Sequence, residues 1–276
     1  MKQHYVPQFF LKNFGYNEKG KFCINVFDIE CIKSFTSNVD SVACENNFYR
    51  FDQAKKFEKL LSKFESEFSL AINEIIKKRN TKNLSKETKT TLSKFIAIQL
   101  NRTPALRINY QQTLEKIYTI LLKAHGQKTD AVPEIAAEKA KEYQTDNIMK
   151  IANAIYPLIL DLKWCLIINK TALPFWTSDN PIFFVNQLPS PSGLSNCGLA
   201  CVGIEVHFPI SSDLSLILLD PIAFPHITEI RIPKLEDNII YENSLQFFSA
   251  TRFIYSRSND FSLAEEIIKS KKNEQV

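Results

Sequence analysis

The chain of 276 residues is 45% hydrophobic and 23% charged, with a formal charge of only +4, which is the composition of a globular protein with one large domain or two small ones. No apolar run approaches the roughly 18–20 residues that span a bilayer, and the N-terminus lacks a signal-peptide pattern, so we expect a cytoplasmic protein without a membrane partner. Only six glycines occur, and the glycine-rich signatures of Rossmann, P-loop and α/β-hydrolase sites are absent, which argues against nucleotide-driven chemistry.

The N-terminal part predicts short elements. Residues 4–14, HYVPQFFLKNF, predict a short helix or an extended segment, in which Pro7 keeps Val6 extended. Residues 21–36 alternate apolar and polar side chains and include β-branched residues, a pattern that predicts one or two strands. The N-terminal section is therefore expected to contain strands.

The middle of the chain predicts four helices, because apolar residues recur there at spacings of three and four. Ser85 is the predicted N-cap of the second helix, with Glu87 in its first turn. Residues 51–125 carry fifteen Lys/Arg against seven Asp/Glu. This bias indicates either a solvated lysine-rich helix face or a surface for a polyanionic partner.

The C-terminal part changes to short β-rich runs, at 163–170, 181–186, 201–210 and 214–220, followed by a helix, a strand and a short terminal helix. A Pro/Ser/Gly-rich loop at 187–198 is long enough to be a lid or a disordered tip. The predicted fold class is α+β. A helical middle section (about 51–160) packs against a mainly antiparallel C-terminal β-sheet in a β-rich section (about 161–258), and the N-terminus contains strands.

Two polar residues fall on the apolar stripe of the second predicted helix. Gln99 lies within the stripe that Leu92 and Phe95 define, and Arg102 lies at its edge. A buried amide costs a few kcal/mol unless it is paired, and a buried guanidinium costs more, so both residues need partners, with a carboxylate expected for Arg102. Together with Arg107, they form either a structural network at a helix corner or a site for a phosphate or carboxylate.

Two further polar groups occur in the C-terminal part. The segment WTSDNPI (176–182) joins two predicted strands, and its Asp179 is either the cap of a turn or a general base, a histidine orienter or the partner of Arg102. On the late helix, Asn243 and Gln246 share the face of Ile239, which favours core hydrogen bonding.

Five motifs carry a family resemblance, and they occur in order along the chain: HYVPQFFLKNF (4–14), QLNRTPALR (99–107), TSDNP (177–181), FPIS (208–211) and NSLQFFSATR (243–252). With these motifs the sequence resembles the bacterial family called domain of unknown function 4238. The resemblance spans nearly the whole chain and implies one integrated domain over residues 1–276. It implies no activity, so function has to be argued from the residues.

If these motifs converge, they form a site for chemistry on an anionic substrate. We hypothesise a metal-independent nuclease acting on RNA, as a bacterial toxin or phage-defence effector. Its catalytic residues are His4 as general acid or base, Asp179 as its orienter or complementary group, and Arg102, which binds phosphate together with Arg107. The other residues assigned to substrate binding are Gln8, Gln99, Ser178, Asn180, Asn243 and Gln246.

Other functions stay open. A metal-dependent variant would use His4, Glu65 and Asp179, although the motifs contain few carboxylates for a metal centre and no metal or cofactor is predicted. A non-catalytic binding or sensing module would clamp nucleic acid or a small anionic ligand with the same groups. A purely structural polar network would leave the function to another surface. The oligomeric state is not predicted.

Overall fold

The computed structural model of the chain describes residues 2–49, 51–189, 196–228, 230–232 and 236–273, with the side chains of 51–56 excepted. The predicted lid or disordered tip at 187–198 lies partly outside the described residues, since 190–195 are not among them. No helix in the described ranges is both long and apolar enough to cross a membrane.

The N-terminal section contains five strands and one short helix: β1 (Lys2–His4), α1 (Gln8–Leu11), β2 (Tyr16–Glu18), β3 (Lys21–Asp28), β4 (Lys33–Asn38) and β5 (Cys44–Asn46). Pro7 adopts an extended conformation and begins α1, because its fixed φ suits a helix start and its missing N–H needs no partner there. A 3-10 turn, Lys12–Phe14, continues α1.

The helical section contains α2 (Phe51–Lys78), α3 (Lys86–Asn101), α4 (Pro104–Ala124) and α5 (Val132–Leu160). Ser85 caps α3 as predicted, since its side chain accepts a hydrogen bond from the Thr88 N–H at 3.1 Å. Thr103 caps α4 in the same way, and Pro104 occupies the first helical position. The sharp turn at Arg102 between α3 and α4 follows from these two residues.

The C-terminal section contains seven strands, two helices and their connections within the described residues: β6 (Lys163–Ile168), β7 (Thr177–Ser178), β8 (Phe183–Asn186), β9 (Ile204–Ser211), β10 (Leu214–Leu219), β11 (Ile230–Arg231), α6 (Glu236–Ser249), β12 (Phe253–Ser256) and α7 (Ser262–Asn273). One sheet has the order β11-β6-β10-β9-β8 and is antiparallel except where β11 meets β6. The predicted α+β class, with helices in the middle and strands on both sides, is confirmed.

A second sheet joins the two ends of the chain, which the sequence did not predict. Its order is β2-β3-β12-β7, and β4 also pairs with β3. Strands β7 and β12 therefore leave the C-terminal sheet and pair with the N-terminal section. The ribbon of β1 and β5 is separate from both sheets.

The segment after His4 is packed into the main core. Phe10 is fully buried; its ring stacks on Phe208 of β9 at 5.2 Å and contacts Phe95 of α3 at 6.3 Å. Asn13 donates a hydrogen bond to the Ile210 carbonyl and accepts one from the Ser212 N–H, each at 3.1 Å. The N-terminal segment thus contacts both the helical section and the C-terminal sheet.

We expect Phe10→Ala to lower the free energy of unfolding by about 3–5 kcal/mol, because it removes a large apolar side chain from three packed elements. Phe35→Ala is the matched control, since Phe35 on β4 is 47% exposed and its truncation should change stability by no more than about 0.5 kcal/mol. Urea unfolding measures both, and equal effects would contradict the docking of this segment.

Candidate functional site

The main chain around His4 is fixed by strand pairing and by two buried polar side chains at the end of α3. Strand β1 pairs with β5, which sets His4 opposite Cys44. From the end of α3, Gln99 Nε2 donates to the Tyr5 carbonyl at 2.9 Å, and Arg102 Nη2 donates to the His4 carbonyl at 2.7 Å. The N-terminus is therefore held in place by the QLNRTPALR motif.

His4 opens onto a cleft of about 500 Å³ between the N-terminal segment and α2. Besides His4, the charged and amide side chains that line the cleft are Gln8, Glu58, Glu65 and Arg102. The two glutamates are seven residues apart on α2, which places them on the same face of the helix. The cleft thus combines an imidazole, two carboxyl groups, an amide and a guanidinium.

Arg102 is buried beside the cleft and bonds two of the groups around it. Its side chain is only 2% exposed, and while Nη2 bonds the His4 carbonyl, Nη1 donates to Glu65 Oε1 at 3.0 Å. A buried cation requires such partners, because an unpaired one costs several kcal/mol. The guanidinium therefore positions Glu65 and the main chain of His4, and both of its Nη atoms already have protein acceptors.

Burial shifts the pKa values of His4 and Glu58 in the directions that favour their neutral forms. It lowers the pKa of His4, and a hydrogen bond to the Asp40 backbone opposes this only in part. It also raises the pKa of Glu58, with the charge of Arg102 opposing and that of Glu65 adding to the shift. The cleft thus contains an imidazole and a carboxyl group whose charged forms are both disfavoured by burial.

Gln8 lies against the imidazole of His4. Its Nε2 is 3.4 Å from Nε2 of the ring. An amide nitrogen only donates, so this contact fits a neutral ring whose Nε2 carries the lone pair. A substrate hydroxyl in the place of the Gln8 amide would meet that lone pair.

Arg107 contacts a different part of the protein. Its Nε donates to Gln144 Oε1 at 2.8 Å, its Nη2 donates to the Phe48 carbonyl at 2.7 Å, and its guanidinium carbon lies 3.7 Å from the Phe48 ring centroid. These contacts tie α4 and α5 to the chain that follows β5. Arg107 is thus held by protein groups and does not line the His4 cleft.

The TSDNP motif forms a second cluster, at the start of β12. Asp179 accepts hydrogen bonds from the N–H groups of Thr251, Arg252 and Phe253, at 2.7, 2.7 and 2.9 Å. Burial raises the pKa of Asp179 to about 6 against the effect of these three donors. Both carboxylate oxygens are occupied by main-chain donors, and Asp179 does not line the His4 cleft.

The amides predicted for substrate binding hold this second cluster together. Asn243 accepts from the Trp176 N–H and donates to the Pro174 carbonyl, and Gln246 donates to the Pro181 carbonyl. Asn180 bonds Ser249 of α6 through its side chain and Ser178 through its N–H. The structure therefore brings His4, Gln8, Gln99 and Arg102 together and places these C-terminal residues elsewhere.

Tyr5 connects the two clusters. Burial raises the pKa of Tyr5, and the charge of Asp179 raises it further. The Tyr5 phenol also interacts with that of Tyr255, which lies on the strand that Asp179 anchors. Asp179 and His4 thus contribute to one chain of contacts through neighbouring residues.

The sequence did not point to Glu58 or to a second cluster of ionisable residues around His207. Glu58 lies on the polar side of an amphipathic helix, where no periodicity distinguishes it from a solvated glutamate. His207 on β9 lies 3.0 Å from both oxygens of Glu242 and 3.6 Å from Glu205, all three largely buried and lining a cleft of about 480 Å³. The alternation of Glu205 and His207 along an otherwise apolar strand was the available signal.

Burial lowers the pKa of His207, but the carboxylates of Glu242 and Glu205 outweigh this effect and raise the pKa to about 9. In the described part of the chain, no group of three or more His, Cys, Asp or Glu residues is placed to hold a metal ion. This holds for the set of His4, Glu65 and Asp179 considered for metal-dependent chemistry.

We expect Arg102→Lys to lower the free energy of unfolding by about 1–3 kcal/mol, because an ammonium cannot bond Glu65 and the His4 carbonyl with the geometry of the planar guanidinium. Arg79→Lys is the control, since its ion pair with Asp213 is largely exposed and contributes no more than about 1 kcal/mol. Urea unfolding compares the two, and an equal loss in both would show that Arg102 does not position these groups.

The His207 cluster predicts a pH-dependent stability. Its folded-state pKa of about 9 lies above the unfolded value of 6.5, so its stabilisation is complete below pH 6.5 and is lost as the pH rises through 9. Between pH 7 and pH 10 the wild type should lose on the order of 2–3 kcal/mol more than His207→Gln. His226→Gln, at an exposed position, should titrate like the wild type, and parallel curves for all three proteins would exclude the ion pair.

Comparison with known proteins gives a family. No curated protein and no solved structure matches the chain. A family model described as "Protein of unknown function (DUF4238)" matches residues 2–260, a span that includes the His4 cleft, the Asp179 cluster and the His207 cluster. The chain therefore belongs to the DUF4238 family.

Proposed function

We propose that the protein cleaves RNA without a metal ion, by general acid–base catalysis in the His4 cleft. The observation that carries the proposal is that His4 and Glu58 line one cleft, in which burial favours the neutral form of both groups. Transesterification of RNA needs a base and an acid placed in one cleft, and the substrate supplies its own nucleophile.

The reaction uses the 2′-hydroxyl of the RNA. His4 Nε2 accepts its proton, and the 2′-oxygen attacks the adjacent phosphorus. The bond from phosphorus to the 5′-oxygen breaks, and Glu58 donates its proton to that leaving oxygen. The products are a 2′,3′-cyclic phosphate and a 5′-hydroxyl, so atoms and charge balance without a further reactant.

Arg102 and Glu65 support this pair as positioning residues. Arg102 holds the main chain of His4, and its bond to Glu65 fixes a carboxylate whose charge acts on both His4 and Glu58. This positioning matters, because catalysis requires that the acid and the base lie within hydrogen-bond reach of the reacting atoms.

The alternative, a non-catalytic clamp for an anionic ligand, receives less support from the same geometry. That reading relied on Arg102 and Arg107 as the anion-binding groups. Both guanidiniums donate to protein acceptors, and Arg102 is almost completely buried. These bonds occupy two nitrogens of each guanidinium and leave fewer donors for an anionic ligand.

Glu58→Gln and His4→Gln should each lower the rate of RNA cleavage by about 10²–10⁴-fold, the usual contribution of a positioned acid or base. Glu67→Gln is the matched control on α2, because Glu67 is exposed and does not line the cleft. The assay follows an RNA oligonucleotide and its all-DNA counterpart in EDTA, with detection of the cyclic phosphate. Cleavage of the DNA, or cleavage that both glutamine variants retain, would overturn the proposal.

The pH profile of the same reaction provides a second readout. The rate should rise as His4 loses its proton, at a pKa below 6.5, and fall as Glu58 loses its proton, at a pKa above 4.5, which gives a mildly acidic optimum. Glu58→Gln should remove the alkaline limb of the profile and leave the acidic limb. An alkaline limb that persists in this variant would exclude Glu58 as the acid.

A further inference from the structure

Among the described side chains, the His4 cleft presents no exposed lysine or arginine to an RNA substrate. Arg102 is buried and engaged, and the other charged residues that line the cleft are Glu58 and Glu65. Phosphate contacts supply most of the affinity in nucleic-acid binding, so they must come from a neighbouring surface.

A second cleft, of about 340 Å³, adjoins the first on the other side of Gln8. Gln8 lines both clefts, and Asp40, whose backbone bonds the His4 ring, also lines the second one. Two lysines, Lys12 and Lys21, line this second cleft. Because Lys12 follows Gln8 by four residues through α1 and its 3-10 turn, both face the same side of the chain.

An exposed aromatic ring forms part of the second cleft. Phe22 lies near the start of β3 and is 41% exposed. The Lys12 ammonium lies 5.1 Å from the centroid of its ring. A partly exposed aromatic ring next to lysines is a combination by which proteins bind single-stranded nucleic acid, since the base stacks on the ring and the cations contact the backbone.

We propose that Phe22, Lys12 and Lys21 form a subsite for a nucleotide of single-stranded RNA next to the cleavage site. The subsite rests on the proposed RNA cleavage and specifies its substrate. A base stacks on Phe22 in place of the Lys12 ammonium, which then contacts an adjacent phosphate together with Lys21. Asp40, which also lines this cleft, repels the phosphates from its own side. Bases in a duplex are already stacked on their neighbours, so only unpaired RNA fits.

Binding is tested with a fluorescent 2′-O-methyl oligonucleotide. It lacks the nucleophilic hydroxyl, so its affinity is measured whether or not the protein cleaves RNA. Phe22→Leu should weaken its binding about fivefold or more, which corresponds to the loss of one stacked base. The matched control is Phe35→Leu, because Phe35 is a similarly exposed aromatic residue of the neighbouring strand β4 that does not line the cleft; it should bind like the wild type.

Salt dependence tests the lysines separately. Lys12→Gln should reduce the slope of log affinity against log salt concentration by about 0.7, the value for one phosphate contact on a single strand. Lys33→Gln, an exposed lysine of β4 outside the cleft, should leave the slope unchanged.

The outcomes separate the subsite from the proposed activity. Weaker binding in Phe22→Leu without cleavage by the wild type supports the subsite and removes the nuclease. Cleavage by the wild type with equal binding of Phe22→Leu and Phe35→Leu keeps the nuclease and overturns the subsite. Absence of oligonucleotide binding by the wild type, or tighter binding of a duplex than of the single strand, also overturns the subsite.

Discussion

The buried guanidinium of Arg102 is the interaction on which the candidate site depends. A cation in the protein interior costs several kcal/mol unless its hydrogen bonds are made. Its partners come from separate parts of the chain, Glu65 from α2 and the His4 carbonyl from β1. The two Nη bonds of this side chain, at the corner between α3 and α4, therefore join three elements beside the cleft.

A series of contacts connects the Asp179 cluster of the C-terminal part to the His4 cleft. Asp179 accepts hydrogen bonds from three N–H groups at the start of β12. Tyr255, which lies on β12, interacts with the phenol of Tyr5. Tyr5 is the neighbour of His4, and Gln99 holds its carbonyl. These contacts connect the Asp179 cluster to the main chain beside His4.

The sequence predicts features that depend on neighbouring residues, and it does not predict contacts between distant parts of the chain. Helix periodicity and the Ser85 cap are local. The polar residues Gln99 and Arg102 on an apolar stripe correctly indicated that both have protein partners, but the carboxylate that binds Arg102 is Glu65 and not Asp179. Strand pairing is not local. Because β7 pairs with β12, and β12 with the N-terminal β3, the TSDNP turn lies in a second cluster and not in the His4 cleft. Glu58 was missed because a glutamate on a polar helix face carries no sign that a cleft will bury it.

The buried position of Arg102 also determines which chemistry the cleft can support. An exposed guanidinium beside Glu58 would lower the pKa of that carboxyl group, typically by 1–3 units for a close pair, and keep it ionised. It would equally favour the neutral imidazole, so the cleft would keep its base and lose its acid. Burial raises the pKa of Glu58, the charge of Arg102 opposes this shift, and the charge of Glu65 adds to it. In the proposed reaction the phosphodiester is bound beside this cleft, where Lys12 and Lys21 lie beyond Gln8.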